Sequence, residues 1–469
     1  MRPFLPPRPK SVIQMNNSSF AISTLDMGIS DEEWERLQKA LDWPGPDQQI
    51  TQLDLSTSPV HSTFSIVELK KSYKVGDNIS VIITARDHNK NLKTYGGDFF
   101  KAKLFNSKLK ASVYGEVVDH RNGTYSVLLL LPWEGQAQVF VRLEHSSEVV
   151  QILKKYRESS FPRSHYNGHF EGPGSKNTQI SEVVECNLKL GAIRINFRRI
   201  IKCKNKKIKI SGLTTPVPAG FYFKDVWKSF VCNTQQLNSS QMGNCLKNKI
   251  VHLLGDSTTR QWFEYLEKNV PGLKRMDLHT PRTGGPLMAV ELKNNIIIHW
   301  RPHGVPLRFS KMLITNLHYI NDDIDEIAGD SHAVVVFTFA AHRVFHPLTF
   351  YVHEVAKIRQ SVVALLSRAP QTTVIIKSGN TAGRKNIFQS DWYMMQLNTV
   401  MREMFRDVNG VIYLDVWQMT SCHYLRENIH PGPVIVANEV KTFLSYVCPR
   451  KKKHAQKNPN ESLRLVTIQ

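Results

Sequence analysis

The residues best placed to do chemistry in this chain begin at Gly255-Asp256-Ser257. They follow the apolar run Ile250-Val251-His252-Leu253-Leu254 and precede a helical pattern over 258–268, so the spacing predicts a buried strand, a sharp turn and a helix. A serine at such a junction stands at the carboxyl edge of a sheet, where open α/β folds bind ligands. Its hydroxyl also lies beside a helix N-terminus, whose free N–H groups can hold a developing oxyanion. Gly-Asp-Ser is equally the pattern of a plain helix cap, so the weight falls on what else reaches that edge. Three further segments do. Ala340-Ala341-His342 follow the apolar run at 333–339, and Gly379 and Asn380 follow the run at 373–377. The stretch Asp415 to Gly432, carrying Cys422, His423, Glu427 and His430, follows the run at 411–415. A nucleophile, N–H donors and histidines are the parts that acyl transfer through a serine requires.

These residues need a scaffold that brings them to one edge. From residue 246, strands at 250–254, 295–300, 333–339, 373–377 and 411–415 alternate with helices at 258–268, 349–367, 391–406 and 434–446. That alternation predicts an α/β domain over 246–448 with a parallel sheet covered on both faces. Right-handed crossovers then put every strand's C-terminal end on the same side. Upstream, residues 55–150 carry six runs of period-two alternation, from Ser65–Leu69 to Ala137–Leu143, separated by turns such as Gly96-Gly97-Asp98. They predict an all-β, immunoglobulin-like sandwich without a catalytic cluster. Residues 1–54 read as an irregular segment with a helical island at 31–37, and residues 151–245 as a cysteine-containing linker or subdomain. Residues 449–469 read as a basic disordered tail.

Composition bounds the setting. The chain has 469 residues, a hydrophobic fraction of 41% and a formal charge of +21. No run approaches the ~18 apolar residues of a membrane span. The charge suits an acidic partner such as a sialylated or sulfated glycan. A nucleic acid is not expected, because the lysines are not interleaved with aromatics and no nucleic-acid motif appears. The six cysteines show no zinc spacing, and no metal is expected. They read as disulfides of a secretory compartment, with Cys448 the expected partner of Cys422. Asn78, Asn122 and Asn238 head glycosylation sequons, as do Asn16, Asn17 and Asn460. Residues 1–10 show no apolar h-region, so the secretory reading implies a targeting segment not visible in this chain.

Gly255-Asp256-Ser257-x-x-Arg260, Ser378-Gly379-Asn380 and Glu427-x-x-His430-Pro431 resemble the blocks of the SGNH/GDSL hydrolases in their PC-esterase branch. The β region, with Gly97-Asp98-Phe99-Phe100, Asp119–Tyr125 and Trp133-Glu134-Gly135, resembles the neurexophilin-like module. In this order the two resemble the neurexophilin and PC-esterase domain family, over about residues 55–448. The resemblance implies an SGNH-like three-layer domain with Ser257 as nucleophile, His430 as general base and Glu427 as the acid that orients the imidazole. It implies an oxyanion hole from the Ser257 N–H, an N–H near Ala340 and the Asn380 side chain. Arg260 is expected to pair with Glu427 or with an acidic substrate. Two positions depart from the pattern. Glu427 stands where the family has aspartate, leaving Asp415 as a rival acid, and Ala340 stands where glycine is common.

The expected function is O-acyl transfer to or from glycans such as sialic acids, in the Golgi or ER lumen or after secretion. No bound cofactor is implied, and acetyl-CoA would be a cosubstrate. The rival expectation, favoured by Ala340 and Glu427, is an inactive secreted glycoprotein with a neurexophilin-like binding role.

Overall fold

The computed structural model describes residues 28–46, 51–159, 165–173, 179–187, 217–305, 313–344, 346–383, 389–448 and 465–468. It begins with α1 (Asp31–Leu41), capped reciprocally by Ser30 and Glu33, whose side chains accept from each other's backbone N–H. Seven strands follow, β1 (Thr63–Ile66), β2 (Tyr73–Lys74), β3 (Asn78–Thr84), β4 (Phe99–Asn106), β5 (Ala111–Asp119), β6 (Thr124–Leu130) and β7 (Gly135–His145). Six of them pair antiparallel in the order β1-β3-β6-β5-β4-β7. The alternation expected from sequence is plain in β3 and β6. Ile79, Val81 and Ile83 face Tyr125, Val127 and Leu129 inside one buried cluster, while the other face is solvated.

Between the two halves lie α2 (Ser147–Glu158), an antiparallel pair β8 (His165–Pro173) and β9 (Gln179–Asn187), and a hairpin β10 (Gly220–Phe223) and β11 (Val226–Ser229). The hairpin joins the β module through β5. Its turn residues Lys224 and Asp225 both sit at positive φ, 53° and 62°. That is the geometry for which glycine or asparagine is the usual signal, so a Lys-Asp pair hid the hairpin in the sequence.

The C-terminal half contains α3 (Ser239–Leu246), β12 (Ile250–Gly255), α4 (Ser257–Asn269), β13 (Lys274–Met276), β14 (Leu287–Glu291) and β15 (Ile296–Pro302). It continues through α5 (Ile320–Glu326), β16 (Ala333–Thr338), α6 (Leu348–Arg368), β17 (Thr373–Lys377), α7 (Asp391–Met404), β18 (Val411–Leu414), α8 (Val416–Cys422) and α9 (Pro433–Val447). The sheet order is β13-β14-β15-β12-β16-β17-β18. The five expected strands are parallel, but β13 and β14 extend the edge antiparallel, so the sheet is mixed. β14 and β15 are joined by a short turn ending at Asn295, too short for a helical crossover.

Every residue of β16 is buried, and its side chains alternate between two clusters. Val335 and Phe337 pack with Val355 of α6 and Leu397 of α7, whereas Val334 and Val336 pack with Trp262 of α4 and Phe443 of α9. The first of these clusters also takes in Phe99, Val150 and Leu153, so the β module and the α/β half share a core. Where a disordered tail was expected, Leu465–Ile468 forms β19, antiparallel to β2 and parallel to β7.

Candidate functional site

Gly255 ends β12 at φ +141°, where a Cβ would lie 1.8 Å from the Thr338 carbonyl oxygen on β16. Only glycine keeps the two strands in register there. Asp256 then caps α4: its Oδ1 accepts from the Thr258 N–H at 2.9 Å and from the Thr258 hydroxyl at 2.7 Å. Its Oδ2 accepts from the Ala341 N–H at 3.4 Å, tying the segment after β16 to the turn. Ser257 is the first residue of α4 and half-buried. Its Oγ lies 2.6 Å from Nε2 of His430, 173 residues on in the sequence. The His430 N–H donates to Asn428 Oδ1 at 3.1 Å, and Gln261 of α4 donates to the Pro431 carbonyl at 3.1 Å, which fixes the loop on both sides of the imidazole.

Asn380 is 1% exposed and doubly anchored. Its Nδ2 donates to the Ile429 carbonyl at 3.1 Å, and its Oδ1 accepts from Lys377 Nζ at 2.7 Å. An ammonium has only donors, so Lys377 dictates which end of the amide faces the His430 loop. Lys377 is itself buried and also donates to Thr258 Oγ1 and the Ser378 carbonyl. Burial pulls its ammonium below the usual lysine range, with the Glu439 and Asp256 carboxylates partly opposing. The sequence marked this residue only as the charged end of an apolar strand. Ala340, two residues past the end of β16, is buried.

The two candidate acids serve elsewhere. Glu427 accepts on Oε2 from Lys101 Nζ at 2.6 Å and on Oε1 from Arg142, rather than orienting His430. Burial pushes its carboxyl up, but those two cations more than offset this and hold it below the usual range. Asp415 caps α8 through the Trp417 N–H at 3.0 Å and lies 3.7 Å from Arg402. Glu427, Asp391 and Glu144 bring carboxylate oxygens within 4.8 Å of one another, a spacing that suits a cation. The cation there is Lys101, whose Nζ is 2.6 Å from Asp391 and Glu427 and 3.5 Å from Glu144.

Comparison with known families decides what kind of chain this is. Residues 227–448 match the model described as NXPE family member 4-like, C-terminal domain, and residues 44–187 match neurexophilin. The chain belongs to the NXPE family. Ser257, Asn380 and His430 all fall in the C-terminal match, and Lys101, Arg142 and Glu144 in the neurexophilin match. The C-terminal match starts at Trp227, inside the hairpin that pairs with β5.

Other expected residues of this NXPE-family chain find their places. Arg260 does not reach Glu427. Its Nη1 donates to the Thr283 carbonyl at 2.9 Å, its Nε is 3.6 Å from Glu264, and its guanidinium lies over Trp300. Cys448 pairs with Cys245, not with Cys422 as expected. Cys422 keeps a buried thiol that burial pushes up to about 12, unfit as a nucleophile. His423 is buried edge-on to Tyr222, and burial lowers it to about 4, so it is a neutral packing residue. Asn78, Asn122 and Asn238 are exposed. Asn16, Asn17, Asn460 and Cys203 lie outside the described residues. Among the described residues, no helix is long and apolar enough to cross a membrane.

Proposed function

We propose that this NXPE-family protein is a serine-dependent acyl-transfer enzyme of the secretory lumen, moving O-acetyl groups onto or off glycans such as sialic acids. The observation that carries the reading is the 2.6 Å contact between Ser257 Oγ and His430 Nε2. In this reading the C-terminal half is an SGNH-like three-layer domain and the β module an immunoglobulin-like sandwich. Ser257 Oγ attacks the acyl carbonyl while His430 Nε2 takes its proton. The oxyanion meets the Ser257 N–H at the start of α4, an N–H beside Ala340 and the Nδ2 group of Asn380. His430 then returns the proton to the leaving group, and the acyl-serine passes to a sugar hydroxyl or to water. Glu427 acts through its loop rather than through the imidazole. Acetyl-CoA serves as donor cosubstrate, and the charge of +21 favours an anionic glycan acceptor.

A second reading, a secreted binding glycoprotein with an idle α/β half, draws on Ala340 in the second block and on the engagement of Glu427 by Lys101 and Arg142. One comparison separates the two. Wild type and Ser257→Ala, expressed through a secretory lumen, are treated with a fluorophosphonate probe and assayed for acetyl transfer from acetyl-CoA to sialylated mucin. The enzyme reading expects labelling and transfer in the wild type alone. Equal signals in both proteins, or none in the folded wild type, would sink it and leave the binding role.

A further inference from the structure

The charge cluster around Lys101 joins the two halves of the molecule at the loops that carry the site. We infer that Lys101 of the β module is a positioning residue of the catalytic site, clamping together the loop of Asn380 and the loop of His430; this rests on the acyl-transfer reading above. The Lys101 side chain is 7% exposed, and its Nζ lies 2.6 Å from both Asp391 Oδ2 and Glu427 Oε2. Each carboxylate holds one loop, Asp391 from the first turn of α7 and Glu427 from within the His430 loop. Asp391 accepts from the Ala382 N–H at 2.7 Å and the Gly383 N–H at 2.9 Å, just after Asn380. Glu427 stands three residues before His430. The loops touch where Gly383 sits at φ +61°, with the place of its missing Cβ 3.0 Å from Glu427 Cβ.

Three carboxylates buried this close repel one another strongly in a medium of low dielectric, and an ammonium between them turns the repulsion into a clamp. Among the described residues, the cations of the clamp come from the β module. Arg142 of β7 takes the second oxygen of Glu427, and Lys103 of β4 donates to the His423 carbonyl at 2.6 Å, where the His430 loop begins. A plain interface ion pair would hold the halves together anywhere along their contact. This one ends three residues from His430 and two from Asn380. The α/β half is therefore not a self-sufficient catalytic unit.

The test combines Lys101→Met, Lys101→Arg and Arg142→Gln in the full chain, read by hydrogen exchange and by the fluorophosphonate labelling rate of Ser257. In Lys101→Met, exchange in peptides covering 379–383 and 425–431 is expected to rise about tenfold, with β13 and β14 unchanged. Labelling should fall about 10²-fold, the effect of misplacing a catalytic group by about 1 Å. Lys101→Arg keeps the cation and should recover part of both signals. Arg142→Gln, on a part-exposed side chain, gives the same pattern more weakly and carries the test if Lys101→Met does not fold. Wild-type exchange and labelling in folded Lys101→Met would overturn the inference, as would a rise in exchange spread evenly over the molecule. Looser loops in Lys101→Met beside an unlabelled wild type would keep the clamp and remove the acyl-transfer reading instead.

Discussion

Replacing Asp256 by alanine removes three contacts at the turn that presents Ser257. Lost are the cap on the Thr258 N–H, the bond from the Thr258 hydroxyl and the link to the Ala341 N–H. An N-cap is worth about 1 kcal/mol, and a buried polar group left unpaired costs about 1–3 kcal/mol. Lys377 still donates to Thr258 Oγ1, and the Ala341 contact is long at 3.4 Å, so the low end of that range applies. The total is about 3 kcal/mol. At about 2–4 °C per kcal/mol for a domain of this size, Asp256→Ala should melt about 6–12 °C below wild type by scanning fluorimetry. Asp256→Asn keeps the capping oxygen and turns an NH2 group toward Ala341, so it should lose about a third of that. Because Ser257 is the next residue, fluorophosphonate labelling should fall further in the alanine variant, measured where both are folded. A melting loss in alanine no larger than in asparagine would refute the capping account, since only alanine removes the acceptor.

Other perturbations follow from the same contacts. Lys377→Met leaves Asn380 Oδ1 without its donor and frees the amide to turn, so labelling of Ser257 should drop toward the ~10²–10³ cost of a lost oxyanion donor; an unchanged rate would remove Lys377 from the site. Burial pushes the Glu148 carboxyl up, but hydrogen bonds from Tyr95 and Lys93 hold it down at about 2. Its folded value is below its unfolded one, about 4.3, so its stabilisation is present above that pH and is lost as pH falls toward 2. Glu148→Gln should flatten the pH dependence of urea unfolding in this window and lower stability at pH 7. Substituting both Cys245 and Cys448 by serine should cost about 2–4 kcal/mol in urea unfolding, because they close a span of 203 residues. No loss would mean that the unfolded chain gains nothing from the cross-link.

What could be read in the sequence was what repeats locally. The five parallel strands announced themselves because a strand covered on both faces must be apolar throughout, as β16 is. The turn at Gly255 was legible because its glycine and flanking periodicities lie within a dozen residues. β13, written Lys274-Arg275-Met276, has no apolar pattern to find, and the antiparallel edge it forms went unseen. The spacing to His430 led to Glu427, but its partners come from strands 326 and 285 residues away, which no local pattern records. Lys377 was hidden differently. A lysine ending a strand ordinarily reaches water, and only the packed structure shows this one turned inward toward Asn380 and Thr258.

The bond between Cys245 and Cys448 makes the stretch between them a covalent ring, and Ser257, Asn380 and His430 all lie on it. A single protease cut anywhere inside the ring cannot part the serine from the histidine. Such a nicked molecule runs as one band without reductant and as two with it. One cut between Ser257 and His430 separates nothing on its own: the cut and a reductant are both needed to release the piece that carries Ser257 from the piece that carries His430.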